Sequence, residues 1–332
     1  MRWWRLSACA ILVLLILAAS ALAALALHYG GSPAGTLRSA IAGAVALWGV
    51  VTAIAIVCGR LRIPALGIFA AILVAFSLWW STIEPSNDRD WQTDVALPAY
   101  ATIDGDKITV HNIRDFDYRS ETDFSPRYYD RTFDVRSIES VDLITSYWMG
   151  PAIAHVMVSF GFSDGRYLAI SIEARKERGE GYSSIAGFFR RYELFYVVAD
   201  ERDVIRLRTN YREDPPEDVY IYRVKGSAED AQRFFMRYVE KINQLKDHPE
   251  FYNSLTTNCT NNIWLHAGVN PRRVPYSWKI LASGLVPEYL YEQDRLDTSI
   301  PFDELRRRSH VNERARKADE ADDFSRRIRA RG

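Results

Sequence analysis

Ala154-His-Val-Met-Val-Ser-Phe-Gly-Phe-Ser-Asp-Gly-Arg-Tyr-Leu-Ala-Ile-Ser-Ile-Glu173 decides the fold class. Two β-rich runs, 154–162 and 166–173, flank a Ser-Asp-Gly turn, and this reads as a β-hairpin with His155 near the start of its first strand. Upstream, Ala101 to Val110 is a second hairpin turning at Asp104-Gly105, and Val141 to Trp148 is a further strand. Downstream, Glu193 to Ala199 and Val219 to Val224 read as strands, with a short helix from Asp200 to Leu207 between them. From Ala228 to Leu245, Ala231, Phe234, Phe235, Tyr238, Val239 and Ile242 recur at helical spacing. A second helix is expected from Asn258 to Ala267, ended by Gly268, with Thr256, Thr257 or Asn258 as cap. Strands followed by helices give an α+β domain rather than a doubly wound sheet.

The chain before this domain has a different solvent. Leu6 to Leu27, Ser39 to Cys58 and Ile63 to Ile83 are apolar runs of about the twenty residues that a bilayer core of ~30 Å asks of a helix. No Asp, Glu or Lys precedes Glu84, and the only charges are Arg2, Arg5, Arg38, Arg60 and Arg62. Four of these five lie at the amino terminus or between the second and third runs, so both regions belong in the cytoplasm and the carboxyl region outside. A cleaved signal peptide in the first run is the weaker reading, since two more runs follow without a clear small-residue cleavage site. Trp79 and Trp80 suit an aromatic belt at the outer surface. The expected localisation is a bacterial inner membrane, crossed several times, with the soluble domain in the periplasm.

Setting these five arginines aside leaves 37 of the 42 basic residues against all 42 acidic ones. A net acidic domain without a basic stripe argues against nucleic acid as partner. Asp88 to Pro98 reads as a polar linker, and the arginine-rich segment from Arg306 to Arg331 as a solvated, partly disordered helix. The expected layout is a membrane part at 1–83, a domain at 88–290 and a charged tail at 291–332.

Three cysteines occur, and Cys9 and Cys58 lie in or beside the apolar runs, which leaves Cys259 unpaired in the outer domain. A thiol in the first turn of a helix meets the partial positive charge of its N–H groups, which favours the thiolate, and the same groups can hold an oxyanion. A nucleophilic thiol then needs a base, for which imidazole is the usual choice. Of six histidines, His28 sits at a membrane boundary, His248 at a turn and His310 in the tail. His266 shares a face with Cys259, but seven residues at 1.5 Å separate them by about 10.5 Å. His111 and His155 lie on strands, and a buried structural cysteine with a satisfied histidine is the plain alternative for either. Arg175, Arg190, Arg191 and Arg212 are candidates for binding substrate phosphate or carboxylate, with ion pairing as the default. Asn258-Cys-Thr260 fits the glycosylation pattern by chance. No metal spacing, P-loop or dinucleotide fingerprint is present, so no cofactor or metal is expected.

Ser146-Tyr-Trp, Ile153-Ala-His-Val and Tyr167 to Glu180 resemble the Lnb-type N-terminal periplasmic domain family, as do Tyr192 to Asp203, Leu207-Arg-Thr-Asn-Tyr-Arg212 and Glu250 to Thr260. The likeness runs over roughly 88–290. It implies a permuted NlpC-type, papain-like fold in which the histidine strand precedes the cysteine helix, with Cys259 as nucleophile and His155 as base. A third polar group should orient the imidazole, and in related folds it comes from the following strand. A two-residue turn at Asp164-Gly165 pairs 162 with 167 and sets His155 opposite Ala174; one bulge would then bring Glu173 to the histidine's face.

The resemblance also implies acyl chemistry at the outer face of a cytoplasmic membrane, since some members are lipoprotein N-acyltransferases. The expectation is a thiol acyltransferase or hydrolase on a lipid-linked or lipoprotein substrate, with inner-membrane lipids as partners. Unlike the acyltransferase proper, this chain has its apolar runs before the domain and no long membrane part after it. The runners-up are a cell-wall peptidase or amidase using the same pair, and an inactive membrane-anchored binding module.

Overall fold

A computed structural model describes residues 2–31 and 35–330. Met1, residues 32–34 and the last two residues, Arg331 among them, lie outside the described residues. The described chain divides into two compact units.

The first unit holds three long apolar helices, α1 (Arg2–Tyr29), α2 (Thr36–Cys58) and α3 (Arg62–Ser81), each long and apolar enough to cross a membrane. Small residues let α1 and α2 approach closely: a Cβ on Gly49 would stand 1.9 Å from the Ser20 hydroxyl, so only glycine fits there. Residues 181–193 and 251–254 belong to the same unit. They are joined to each other by the Glu193–Phe251 bridge and by the Tyr252 N–H, which donates to the Tyr192 carbonyl at 2.9 Å.

The second unit is mixed α and β. Its strands are β1 (Tyr100–Asp104), β2 (Lys107–Arg114), β3 (Asp117–Tyr118), β4 (Phe124–Ser125), β5 (Tyr128–Asp134), β6 (Ile138–Tyr147), β7 (His155–Phe162), β8 (Tyr167–Arg175), β9 (Glu193–Ala199) and β10 (Asp218–Arg223). The main sheet runs β1-β2-β9-β8-β7-β6-β10, with β5 added on β2. The expected strands are all found. The small β3–β4 pair and β5 are additions that short polar-rich runs do not announce.

Side-chain alternation separates two faces of the central strands. Val141, Leu143, Val156, Val158 and Phe160 point to one, where α5 (Ala228–Asp247) packs Phe234, Phe235 and Tyr238 on the sheet. The other face carries Ile144, Met157 and Ala169 together with Val204 and Ile205 of α4 (Glu201–Arg206). Past α4 the chain continues as a π-helical turn, Leu207–Tyr211.

The β7–β8 register differs from the expected one. Gly161 pairs with Tyr167 and Met157 with Ser171, and the Phe162 N–H donates to the Arg166 carbonyl at 2.9 Å. The turn therefore has three residues, Ser163, Asp164 and Gly165, with Gly165 in the left-handed region at φ 80°. The extra turn residue shifts β8 by one place. It sets Glu173 on the face of His155 directly, and no bulge within the strands is needed.

Two expectations about polar segments are corrected. Within 88–98, Trp91 and Val95 are buried, and the Arg175 guanidinium donates to the carbonyls of Val95 and Ala96 at 2.9 and 2.8 Å. That stretch is a strap on the sheet rather than a linker. The basic carboxyl segment is not a solvated helix either. It folds as α9 (Phe302–Ser309), α10 (Asn312–Lys317) and α11 (Phe324–Arg327), burying Val311, Ala315, Phe324 and Ile328 in the α4 core. Arg329 donates to Glu201 at 2.6 and 2.7 Å and to Asp142 at 2.9 Å, and Arg223 also donates to Asp142 at 2.5 Å, so the two buried carboxylates face two cations. Spaced alanine and aromatic residues between the arginines carry this packing.

Candidate active site

Polar side chains build the start of α6 (Cys259–His266). Asn258 caps it, its carboxamide oxygen accepting the Asn261 N–H at 2.9 Å and the Thr260 hydroxyl at 3.0 Å. Asn262 reaches back to the carbonyls of Thr257 and Asn258 at 2.8 and 3.1 Å, and Asn261 donates to the Leu255 carbonyl. The run Thr-Thr-Asn-Cys-Thr-Asn-Asn is thus a self-bonded frame that fixes Cys259 at the first helical position. Among helix N–H groups, those of Cys259 and Thr260 have no intrahelical acceptor by position and remain available for a developing negative charge.

His155, at the start of β7, lies beside Cys259, and each shifts the other's titration. On its other side Nε2 stands 2.6 Å from the Ser171 hydroxyl and 3.1 Å from Glu173 Oε1, and Ser171 donates to that same carboxylate oxygen at 2.6 Å. Of the sequence candidates, Cys259, His155 and Glu173 therefore lie together.

Behind them lie Arg208 and Glu217, which sequence reasoning missed, and Arg212, a substrate-binding candidate that proves to be ion-paired instead. Arg208, on the π-helical turn, donates to Glu173 at 3.3 Å and to Glu217 at 3.1 Å. Glu217 also accepts from Arg212 at 2.5 Å and from Ser146, the residue paired across the sheet from His155. With a thiolate and an imidazolium, charge alternates along Cys259, His155, Glu173, Arg208, Glu217 and Arg212. Each buried charge has an opposite neighbour, the condition for keeping such groups ionised away from water. One signal was present: Ser171 is two residues before Glu173 on one strand face.

Burial pushes the His155 imidazolium toward release of its proton, but the Glu173 charge and hydrogen bonds from Cys259 and Glu173 overcome it and raise the group to about 9. Burial lifts the Glu173 carboxyl, and His155, Arg208 and Ser171 more than reverse this, holding it well below the usual range. Burial also raises the Cys259 thiol, but His155 and the Val156 N–H bring it below the ordinary value. Both shifts favour the ionised form of the pair, thiolate with imidazolium, over the neutral one.

The remaining candidates have other partners. His266 is buried, accepts or donates with the Tyr196 hydroxyl at 2.7 Å, packs on Tyr238 and is driven down to about 3 by burial and by Lys241 and Arg237. It is a neutral core residue. His111 pairs with Asp130 at 2.7 Å, and His310 with Asp218 at 3.2 Å. Arg175 is buried between the rings of Trp91 and Phe195. In the helical unit, Arg190 donates to the carbonyls of Trp80 and Ile83, and Arg191 to that of Gly31.

Residues 124–284 match the family described as the Lnb N-terminal periplasmic domain. No curated protein and no solved structure matches the chain. The Lnb segment contains every member of the charge chain from Ser146 to Cys259, and with the three apolar helices it makes this a membrane protein with a periplasmic domain.

On the opposite face of the sheet from the charge chain lies an apolar cavity of about 180 Å³. Leu143, Val156 and Val158 line it from the sheet, Phe234 from α5, Ile263 from α6 and Val286 from α8 (Val286–Glu292). Cys259 packs against the same cluster of Leu143, Val156, Ile263 and Val286. Cys259 itself does not line the cavity, but it shares these wall residues with it.

Proposed function

We propose that the protein is a Cys259-dependent acyltransferase or hydrolase, acting on an ester of a lipid or lipoprotein at the outer face of the inner membrane. The observation that carries this reading is Cys259 at a helix start beside His155, whose Nε2 stands 3.1 Å from Glu173. The three apolar helices are read as spans of one membrane, with the Lnb segment in the periplasm. The histidine strand preceding the cysteine helix accords with a permuted papain-like domain over 88–290.

The chemistry follows from the ionised pair. The Cys259 sulfur attacks the ester carbonyl, and negative charge develops on the carbonyl oxygen near the start of α6. As the intermediate collapses, the C–O bond breaks, and the His155 imidazolium gives its proton to the leaving alcohol. The thioester that remains is attacked by an amine or by water, whose proton passes to His155 while the sulfur departs as thiolate. Glu173 keeps the imidazole oriented throughout, and Ser171 and Arg208 hold Glu173. An apolar cavity whose wall residues Leu143, Val156, Ile263 and Val286 also pack against Cys259 favours an acyl group over the polar peptides of a cell wall.

The test is incubation of the detergent-solubilised chain with bacterial lipid extract, and separately with peptidoglycan fragments, followed by intact-mass measurement. Acyl adducts that disappear in Cys259→Ala are expected from the lipid extract. Adducts from peptidoglycan alone would replace this reading by a cell-wall amidase, and a thiol unmodified by either would favour a binding module.

A further inference from the structure

The helical unit contains a loop whose role the thiol chemistry does not use. Residues 181–190 are tied to the ends of the apolar helices by several independent contacts. The Gly31 N–H donates to the Arg190 carbonyl at 3.2 Å, and Arg190 donates to the carbonyls of Trp80 and Ile83 while its guanidinium lies 4.8 Å from the centre of the Trp80 ring. Phe189 stacks on Tyr29 at 6.2 Å. A Cβ at Gly30 would stand 3.1 Å from the Phe189 carbonyl oxygen and 2.9 Å from the Trp80 ring, so glycine there permits the close approach.

The loop is also internally fixed. The Ser183 N–H donates to the Tyr192 hydroxyl at 2.9 Å, which itself donates to the Gly181 carbonyl at 2.8 Å. Ser254 donates to the carbonyls of Gly187 and Ser184. Yet Tyr182, Ile185 and Phe188 remain 51%, 52% and 45% exposed. A segment this well bonded has no need to leave three large apolar side chains in water.

We propose that Tyr182, Ile185 and Phe188 form an interfacial anchor that enters the outer leaflet at the boundary of headgroups and acyl chains. The loop is bonded to Tyr29–Gly31 and Trp80–Ile83, the ends of α1 and α3 where a spanning helix leaves hydrocarbon for water, and this is the level at which aromatic and aliphatic side chains partition into the interface. The occupant is lipid rather than protein because the loop is bonded to the ends of two helices whose own outward side chains are large, apolar and exposed. Their positions are fixed beforehand, so entry costs little ordering of the chain. The inference rests on reading α1 to α3 as membrane spans.

The full chain is reconstituted in phosphatidylethanolamine–phosphatidylglycerol vesicles containing a phospholipid with a diazirine on the first carbons of its acyl chain. After irradiation, adducts are located by peptide mass spectrometry. Adduct yield on 182–188 should lie within about threefold of that on Trp79–Ile83, as two segments at one interfacial depth require. Labelled spans with a 182–188 yield below about one tenth of that reference would overturn the anchor while leaving the spans intact. Unlabelled α1 to α3 would overturn the spanning reading and the anchor with it.

Discussion

Glu173 Oε1 stands 3.1 Å from His155 Nε2 because the turn between their strands has three residues, with Gly165 in a left-handed conformation. With a two-residue turn the carboxylate would face the other side of the sheet. The ion pair at Cys259 depends on this register. Its charge is what holds the His155 imidazolium up to about 9 against burial.

Glu173→Gln should therefore lower the His155 pKa, because the opposing charge is removed while Arg208 remains nearby. The thiolate then loses its imidazolium partner at neutral pH. Alkylation of Cys259 should slow at pH 6 to 7, and its rate–pH profile should move to higher pH. Glu173→Asp, which retains the charge, should recover part of the effect. An unchanged profile in Glu173→Gln would remove Glu173 from the site's electrostatics.

Cys259 in the wild type should alkylate at pH 6 at least several-fold faster than a free cysteine, whose pKa is about 8.5. His155→Ala should abolish that advantage and acyl-enzyme formation, measured on the folded fraction because loss of the Glu173 partner also lowers stability. Slow labelling in the folded wild type, with rapid labelling only after unfolding, would make Cys259 a buried structural residue.

Much of this site was legible in the chain. Cys259 stood out as an unpaired thiol at a helix start, whereas His155 was one of two strand histidines and the family resemblance singled it out. Arg208 was not legible, because its role depends on a π-helical turn that aims it between Glu173 and Glu217, and no local periodicity signals such a turn. The packing of the arginine-rich segment was hidden for a related reason. Charge density dominates its composition, whereas Val311, Ala315, Phe324 and Ile328 meet the core only once three short helices fold back.

Arg208→Leu tests the charge chain from its middle. The substitution leaves Glu173 and Glu217, both largely buried, facing each other without the cation between them. Loss of one partner from a buried ionic cluster costs about 3 kcal/mol or more, read as a fall in the denaturant midpoint. Arg208→Lys should restore part of the stability. A midpoint equal to wild type in Arg208→Leu would show that the chain is not coupled through this residue.

Arg329→Leu probes the folded carboxyl segment. Glu201, fully buried, and Asp142, nearly so, would lose their common cation, although Arg223 still reaches Asp142. The expected cost is again about 3 kcal/mol, with Cys259 alkylation unchanged in the remaining folded protein. Wild-type stability in this variant, measured by chemical unfolding, would return the segment to a solvated role.

The two buried histidines should shape the pH dependence of stability in opposite directions. His266 is held near 3 in the folded state, while an unfolded histidine titrates near 6.5. Between those values the unfolded chain binds the extra proton, so this residue's contribution is lost as pH falls from about 6.5 toward 3. His155 behaves in reverse: raised to about 9, it binds its proton more tightly in the folded state, and its contribution is lost as pH rises from about 6.5 to 9. The difference in unfolding free energy between wild type and His155→Gln should therefore shrink on the alkaline side, and that between wild type and His266→Phe on the acid side. His266→Phe also removes the 2.7 Å hydrogen bond to Tyr196, so it should destabilise at all pH values while sparing the thiol. If instead His266→Phe abolishes Cys259 reactivity and His155→Gln retains it, His266 is the base and the assignment of His155 fails.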